Sequence, residues 1–141
     1  MSSFYMNEAM FDLPESGFVD RTVTYLRGKS PNGVPVVLLI ERRPLEKKTL
    51  REAVDEHHQE QRKKHLGYSV MFDREVDVDQ HVAIDIGARW NTDDGIPAYT
   101  RRTHLQLGET RFIITGEVAF VEREFCDAYM NHVLGTLKFR S

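Results

Sequence analysis

The sequence has a single cysteine, no long apolar run and no excess of one charge, and each shortage removes a class of protein. Cys126 alone cannot build an internal disulfide framework or a zinc site made of several cysteines. The longest apolar stretch, Val34 to Ile40, is interrupted by Pro35 and falls far short of the ~20 residues that span a bilayer as a helix. Nineteen Lys and Arg stand against 22 Asp and Glu, a net charge of −3, without the clustered basic excess of a nucleic-acid footprint. Met1 to Glu8 has neither a basic stretch nor an apolar one, so no secretory signal is expected and the reading is of a cytoplasmic protein. What is present is a globular composition, with 40% hydrophobic and 29% charged residues over 141 positions. That length supports one core, and a single domain over 1–141 is expected.

Turn chemistry and changes of period divide the chain. Phe4 to Pro14 alternates loosely and runs into Leu13 to Gly17, which reads as a short edge strand and a turn. Asp20 to Arg27 has β-branched and aromatic residues at strand density. Pro31 to Gly33 is a turn, and Val34 to Arg42 is a second, mostly apolar strand, so the pair reads as a hairpin. Thr49 and Glu52 then have capping-box spacing, no Pro or Gly occurs until Gly67, and Lys63, Lys64 and His65 place cations in the last turn. The spacing predicts a helix over Thr49–Leu66 with a thin apolar stripe, in which Leu50, Ala53 and Val54 give way to His57 and Gln61. Four strands follow at Tyr68–Val76, His81–Trp90, Pro97–Leu107 and Thr110–Val121, with turns at Asn91 to Gly95 and at Gly108 and Glu109. Phe125, Tyr129, Val133 and Leu137 repeat at i+4 and predict a C-terminal helix over Glu122–Leu137. The order indicates an α+β fold. Its curved, mainly antiparallel sheet has about six strands, one helix between the third strand and the last four, and a helix at the C-terminus.

Side chains alternate across a sheet, so each strand divides into two faces. In His81–Trp90 one parity holds Val82, Ile84, Ile86 and Trp90, and the other Ala83, Asp85, Gly87 and Arg89. In Thr110–Val121 the sets are Phe112, Ile114, Val118 and Phe120 against Ile113, Thr115, Glu117 and Ala119. The apolar sets are expected to form one core under the helices, and the mixed sets the opposite face. Val34 to Arg42 breaks this division, because Val36, Leu38 and Ile40 are as apolar as Val37 and Leu39. A strand apolar on both faces is covered on both. Either the N-terminal strand and loops supply that cover, or a partner chain, a second subunit or a ligand does.

The chain carries no motif for catalysis. His57, His58 and His65 share one helix without an i, i+4 pair, and neighbours about 100° apart cannot chelate one ion, so no metal site is expected. Asp93, Asp94 and Gly95 lack calcium-loop spacing and read as a polar turn. Cys126 lies near the apolar stripe of the last helix and His132 projects from another side of it, so the thiol reads as buried and structural. Asp77 and Asp79 read as solvated carboxylates at a strand end. No Gly-rich phosphate loop or nucleophile elbow is present, and no cofactor is expected. An enzyme reading would need Asp85 and His104 to share a defined pocket.

The linear pattern itself is informative. Tyr5 to Glu8, Phe11 to Pro14, Asp20 to Tyr25, Leu39 to Arg42, the polar helix ending at Leu66 to Tyr68, the Trp90 strand end, Tyr99 to Arg102 and Phe112 to Thr115 occur in an ordered series. In order and spacing the series resembles the DcrB-like domain, with its DcrB/PsbP-like sheet. Within that family it looks like the Eag branch, the effector-associated chaperones of bacterial type VI secretion. The resemblance implies a non-enzymatic role. Such chaperones bind the N-terminal transmembrane segments of PAAR-containing, often Rhs, toxin effectors in the cytosol and keep them soluble until loading on the secretion spike. They are generally homodimers whose concave sheet face cradles the apolar helices. For this chain the resemblance implies an effector partner, a homodimer, and neither nucleic-acid binding nor insertion into a membrane. It places effector-helix contacts at Val23, Tyr25, Val37, Leu39, Glu41, Arg102, His104 and Ile113, with His57, Gln61 and His65 overhanging from the helix. Glu41, Arg102 and His104 make this groove more polar than the family pattern. Arg102 either lays its stem on apolar surface and donates to helix carbonyls, or pairs with Glu41. A DcrB-like domain that binds a small apolar or lipid-like ligand at the same face is the alternative.

Overall fold

The computed structural model describes residues 2–5, 10–13 and 23–139. Strands β1 (Ser2–Tyr5) and β2 (Met10–Leu13) pair with each other as a separate antiparallel hairpin. One edge strand is expected there from the sequence; two short runs instead pair locally, because closing a short loop costs less entropy than reaching a distant edge. The turn expected after Leu13, and residues 20–22 of the next expected strand, lie outside the described residues.

The main sheet is antiparallel throughout and has six strands in the order β3-β4-β8-β7-β6-β5. They are β3 (Thr24–Lys29), β4 (Pro35–Pro44), β5 (Leu66–Val78), β6 (His81–Asn91), β7 (Pro97–Leu107) and β8 (Thr110–Ala119). Helix α1 (Leu50–Lys64) lies between β4 and β5, and α2 (Arg123–Thr136) follows β8 after a single 3-10 turn at Phe120–Glu122. The expected α+β architecture is the observed one. Thr49 caps α1 through the predicted capping box, its hydroxyl accepting from the Glu52 amide at 3.1 Å while Glu52 accepts from the Thr49 amide. Gly108, at φ 61°, opens the two-residue turn between β7 and β8. A matching turn between β5 and β6 is formed by Asp79 and Gln80, both at positive φ. Asp79 there also accepts the Phe139 amide at 2.8 Å, which ties the C-terminal tail down, so it is more than a solvated strand end.

The helices sit on opposite faces of the sheet. Leu50, Ala53 and Val54 of α1 bury Ile84 and Ile86 with Leu45, whereas Cys126 and Met130 of α2 join Ala83, Tyr99, Leu105, Phe112, Ile114 and Val118. This corrects the division of faces drawn from parity alone. The register Ile86–Arg102–Thr115 puts the apolar set of β6 on the same face as the mixed set of β8, and the apolar set of β8 on the other. The reason is that each face needs apolar side chains only where its own helix lies. Gly116 marks the seat of α2, since a Cβ there would meet the Tyr129 hydroxyl at 2.8 Å and Cys126 at 3.0 Å.

On the α2 face the buried carboxylate of Asp85 organises the polar interior. Arg101 grips it with two bonds of 3.1 and 2.9 Å, Thr103 donates at 3.1 Å, and Arg74 reaches it from the rim. Arg101 continues to the Asp127 carbonyl of α2 at 3.2 Å, and the Tyr99 hydroxyl donates to the Asp127 carboxylate at 2.7 Å. Asp85 and Arg101 are both almost fully buried, so removing one partner strands the other's charge. Asp85→Asn is expected to lower stability by about 3–5 kcal/mol in urea unfolding at neutral pH. A loss under about 1 kcal/mol would mean that Arg101 does not depend on this carboxylate.

Candidate functional site

The face that carries α1 is only partly roofed. At 1.5 Å per residue α1 is about 22 Å long. It begins over Ile84 and ends at His65, which stacks on Trp90 at 4.1 Å. The stretch of β6 from Ile84 to Trp90 is about 20 Å, so the helix lies along that strand. Beside it, β4 and β3 present side chains with no helix above them, while Ile113 and Thr115 of β8 are buried at the helix margin. The result is a groove of about 300 Å³ between the C-terminal half of α1 and the strands.

Registers decide which residues line it. Tyr25 pairs with Leu39, Leu39 with Thr115 and Thr115 with Arg102, one row across four strands. Glu41, Ile113 and His104 form a second row, and Val37, Glu117 and Thr100 a third. Leu39, Glu41, His57, Gln61, Arg102 and Ile113 therefore meet around one cavity, with His65 at its end. Val23 and Tyr25 share the parity of that face and extend it to the sheet edge, where they are 52% and 53% exposed. Val37 lies on the same face at the far end of β4. Two of the expected residues sit deeper than a contact surface: Ile113 is 4% exposed, and His104 reaches no solvent at all. Arg43, Lys64, Trp90, Thr100 and Glu117 also line the groove. Alternation by two from Glu41, Arg102 and Ile113 could have found Arg43, Thr100 and Glu117. Trp90 escapes that count because its strand's apolar parity reads as core.

The electrostatics are unusual for a sheet face. His104 lies under His57, ring to ring at 5.3 Å, and neither of its nitrogens has a hydrogen-bond partner among the described residues. Burial, then the charge of Arg102, pushes His57 down to about 3. Burial, with His57 and Arg102 next, holds His104 well below the usual imidazole range. Both rings are therefore neutral at pH 7. Arg102 donates from Nε to Thr115 Oγ1 at 3.1 Å and from Nη1 to Nε2 of His57. Glu41 pairs with Arg43 at 3.1 Å, so the pairing of Glu41 with Arg102 that the sequence leaves open is not made. Glu117 is half-buried, and burial raises its carboxyl above the usual range.

Chemically, this arrangement offers hydrogen-bond donors and a cation along a strip with an apolar outer edge. The pair an enzyme reading requires does not converge, because Asp85 faces α2 while His104 faces α1. His58 is absorbed in packing, its ring bonded to Tyr68 and Asp73 at 3.0 Å each. Cys126 is fully buried on the sheet-facing side of α2, and burial pushes its thiol up to about 11. Among the described residues no helix is long and apolar enough to cross a membrane.

A model of the family described as DcrB matches residues 8–119, and the chain belongs to that family. PA94 from Pseudomonas aeruginosa, a protein of unknown function, superposes with a TM-score of 0.82 at 14% identity, covering 99% of this chain and 97% of that one. LpqN of Mycobacterium tuberculosis, which is involved in cell envelope biogenesis, gives 0.58 at 10% identity, over 74% of this chain and 62% of LpqN. The PsbP protein of the cyanobacterium Synechocystis sp. PCC 6803 gives 0.54 at 10% identity, over 88% and 94%. No curated protein matches the sequence. These structural likenesses establish the fold.

The buried imidazoles predict an acid-sensitive native state. Their folded pKa values lie below the unfolded value near 6.5, so the unfolded chain takes up more protons in acid. The stability they contribute is complete above pH 6.5 and declines as pH falls toward 3. Between pH 6.5 and 5 the His57 ring alone should take away about 1–2 kcal/mol of stability and His104 should add to that loss, measured by urea unfolding across that range. His104→Leu should flatten the slope, and an unchanged slope in that variant would place the acid sensitivity elsewhere.

Proposed function

We propose that this member of the DcrB family is a cytoplasmic chaperone of the Eag kind. In this reading its groove beside α1 holds an N-terminal transmembrane helix of a PAAR/Rhs type VI secretion effector in water. The reading draws on the resemblance in sequence and on one observation above the rest: the groove between α1 and the open sheet edge has the dimensions of a helix. The groove runs from Arg102, at the α1 margin on β7, to Tyr25 at the open β3 edge, three inter-strand spacings or about 14 Å, and a helix with its side chains is about 10–12 Å wide. Along the strands, Val37 to Arg43 extends about 20 Å, room for some 13 residues of helix.

The chemistry of the strip also suits such a guest. Val23, Tyr25 and Leu39 offer apolar cover at about 25 cal/mol per Å² removed from water. Gln61, His65 and Arg102 supply polar contacts of the kind that join helices of small residues within membranes. Shielding needs no reacting group, which agrees with neutral histidines packed against an arginine. The homodimer belongs to the same proposal.

A second reading is a domain that holds a small apolar or lipid-like ligand. It draws on a separate recess of about 300 Å³ on the α2 side, bordered by Leu26, Val36, Leu38, Phe125 and Tyr129.

The deciding experiment is co-expression with the toxin encoded beside the gene, followed by pull-down of its N-terminal truncations. Val23→Glu and Tyr25→Glu, both at exposed positions, should lose at least tenfold in capture while remaining folded by circular dichroism. Val121→Glu, on the exposed 3-10 turn, is the control and should capture normally. Equal capture by all three variants would remove the groove from the interface. A small molecule found by native mass spectrometry, with no peptide captured, would favour the second reading.

A further inference from the structure

The sharpest anomaly in the groove is a guanidinium without an anion. Arg102 is half-buried, yet its bonding partners are the Thr115 hydroxyl and the neutral His57 ring. The carboxylates nearby do not relieve it. Glu41 is engaged by Arg43, and Glu117, one pleat along β8 from Thr115, makes no ion pair with it among the described residues. A guanidinium has five N–H donors, and the two bonds named use two of them. The cation is also held in place from behind. Thr115 and His57 fix the plane of its fork, and His57 is itself seated on the buried His104. A partly desolvated cation kept in one orientation is a costly arrangement unless something completes it. A carboxylate is the group whose geometry fits that fork with two parallel bonds.

We propose that Arg102 sets the specificity of the groove, and that the helix docked there carries an Asp or Glu side chain where it crosses β7 and β8. The proposal rests on the helix-holding function above and adds the chemistry of the guest. A membrane-directed helix rarely carries such a residue. An acidic side chain in its apolar sequence is costly in lipid and would distinguish the client from other apolar helices in the cell. Glu117 refines the placement, since a guest carboxylate avoids its charge by approaching Arg102 from the His57 side. The apolar stretch of the guest then lies outward over Leu39 and Tyr25.

The test uses the full chain and three lysine-flanked, leucine- and alanine-rich helical peptides of about 20 residues, identical except for a central Asp, Asn or Leu. Fluorescence anisotropy at low salt should show the Asp peptide binding about tenfold or more tighter than the Asn peptide. In Arg102→Gln, checked for folding by circular dichroism, that ratio should fall to near one while the Leu peptide binds as before. Arg102→Lys should keep part of the preference. The wild-type comparison needs no variant, so misfolding of Arg102→Gln cannot rescue the proposal. Binding of all three peptides with no preference for Asp would overturn the carboxylate assignment and leave the helix-holding function standing. Failure of every peptide to bind would remove that function and this proposal with it. Oleate bound by the wild type but not by Arg102→Gln, with no peptide bound, would give the arginine to a lipid and overturn the proposal.

Discussion

Two helices cannot roof both faces of a six-stranded sheet. Six strands are about 24 Å across and a helix covers about 10–12 Å, so one helix on each face leaves half of each uncovered. In this chain α1 lies along β6 and α2 packs across β8 and β7. The strip that neither helix fully covers runs along β3 and β4, at one edge of the sheet. The position of the groove, the two-sided apolar character of β4 and the exposure of β3 all follow from that mismatch of widths.

The same constraint explains where polar residues are buried. Each face is apolar only beneath its own helix, and at the margins of those patches the chain closes the interior with polar networks. On the α2 face Asp85 and Arg101 form one such network, which reaches the helix through Asp127. On the α1 face the margin is made of His57, His104 and Arg102, and there the network stops short, with donors left over. The complete network fastens a helix to the sheet. The incomplete one borders the groove. The two networks differ in this although each is built on an arginine, Arg101 and Arg102, at adjacent positions of β7.

The elements were largely legible in the sequence, because local chemistry determines them: the capping box at Thr49, the glycine turn at Gly108 and the i+4 stripe from Phe125 to Val133. The faces were not. Parity within one strand says which side chains travel together, but only the register between strands says which parities share a face, and register is a property of pairs. Thus Ile86 and Ile114 read as one core and lie on opposite sides. The turn at Asp79 and Gln80 was missed because neither residue is a glycine, though both adopt positive φ. For the groove, alternation and the family pattern together bring seven of the named residues to one cavity. Neither could show that His104 sinks below its floor or that Ile113 is nearly closed off within it, since depth depends on where α1 comes to rest.

That depth changes what the groove's polarity means. Read in sequence, Glu41, Arg102 and His104 form a polar row in which charges could cancel. In the structure Glu41 turns to Arg43, and His104 withdraws beneath His57 as a neutral support. One half-buried cation then remains at the groove, Arg102, to face the guest proposed above. An apolar surface alone holds any apolar helix, because hydrophobic contact is non-directional. A fixed guanidinium adds direction, rewarding a single register in which an anion or a carbonyl meets its fork and penalising the others through desolvation. In the proposed chaperone role this division would suit cargo that has to be held and later released. On that proposal the broad apolar contact would supply shelter without selecting a partner, and the single directional contact would supply selection at one point.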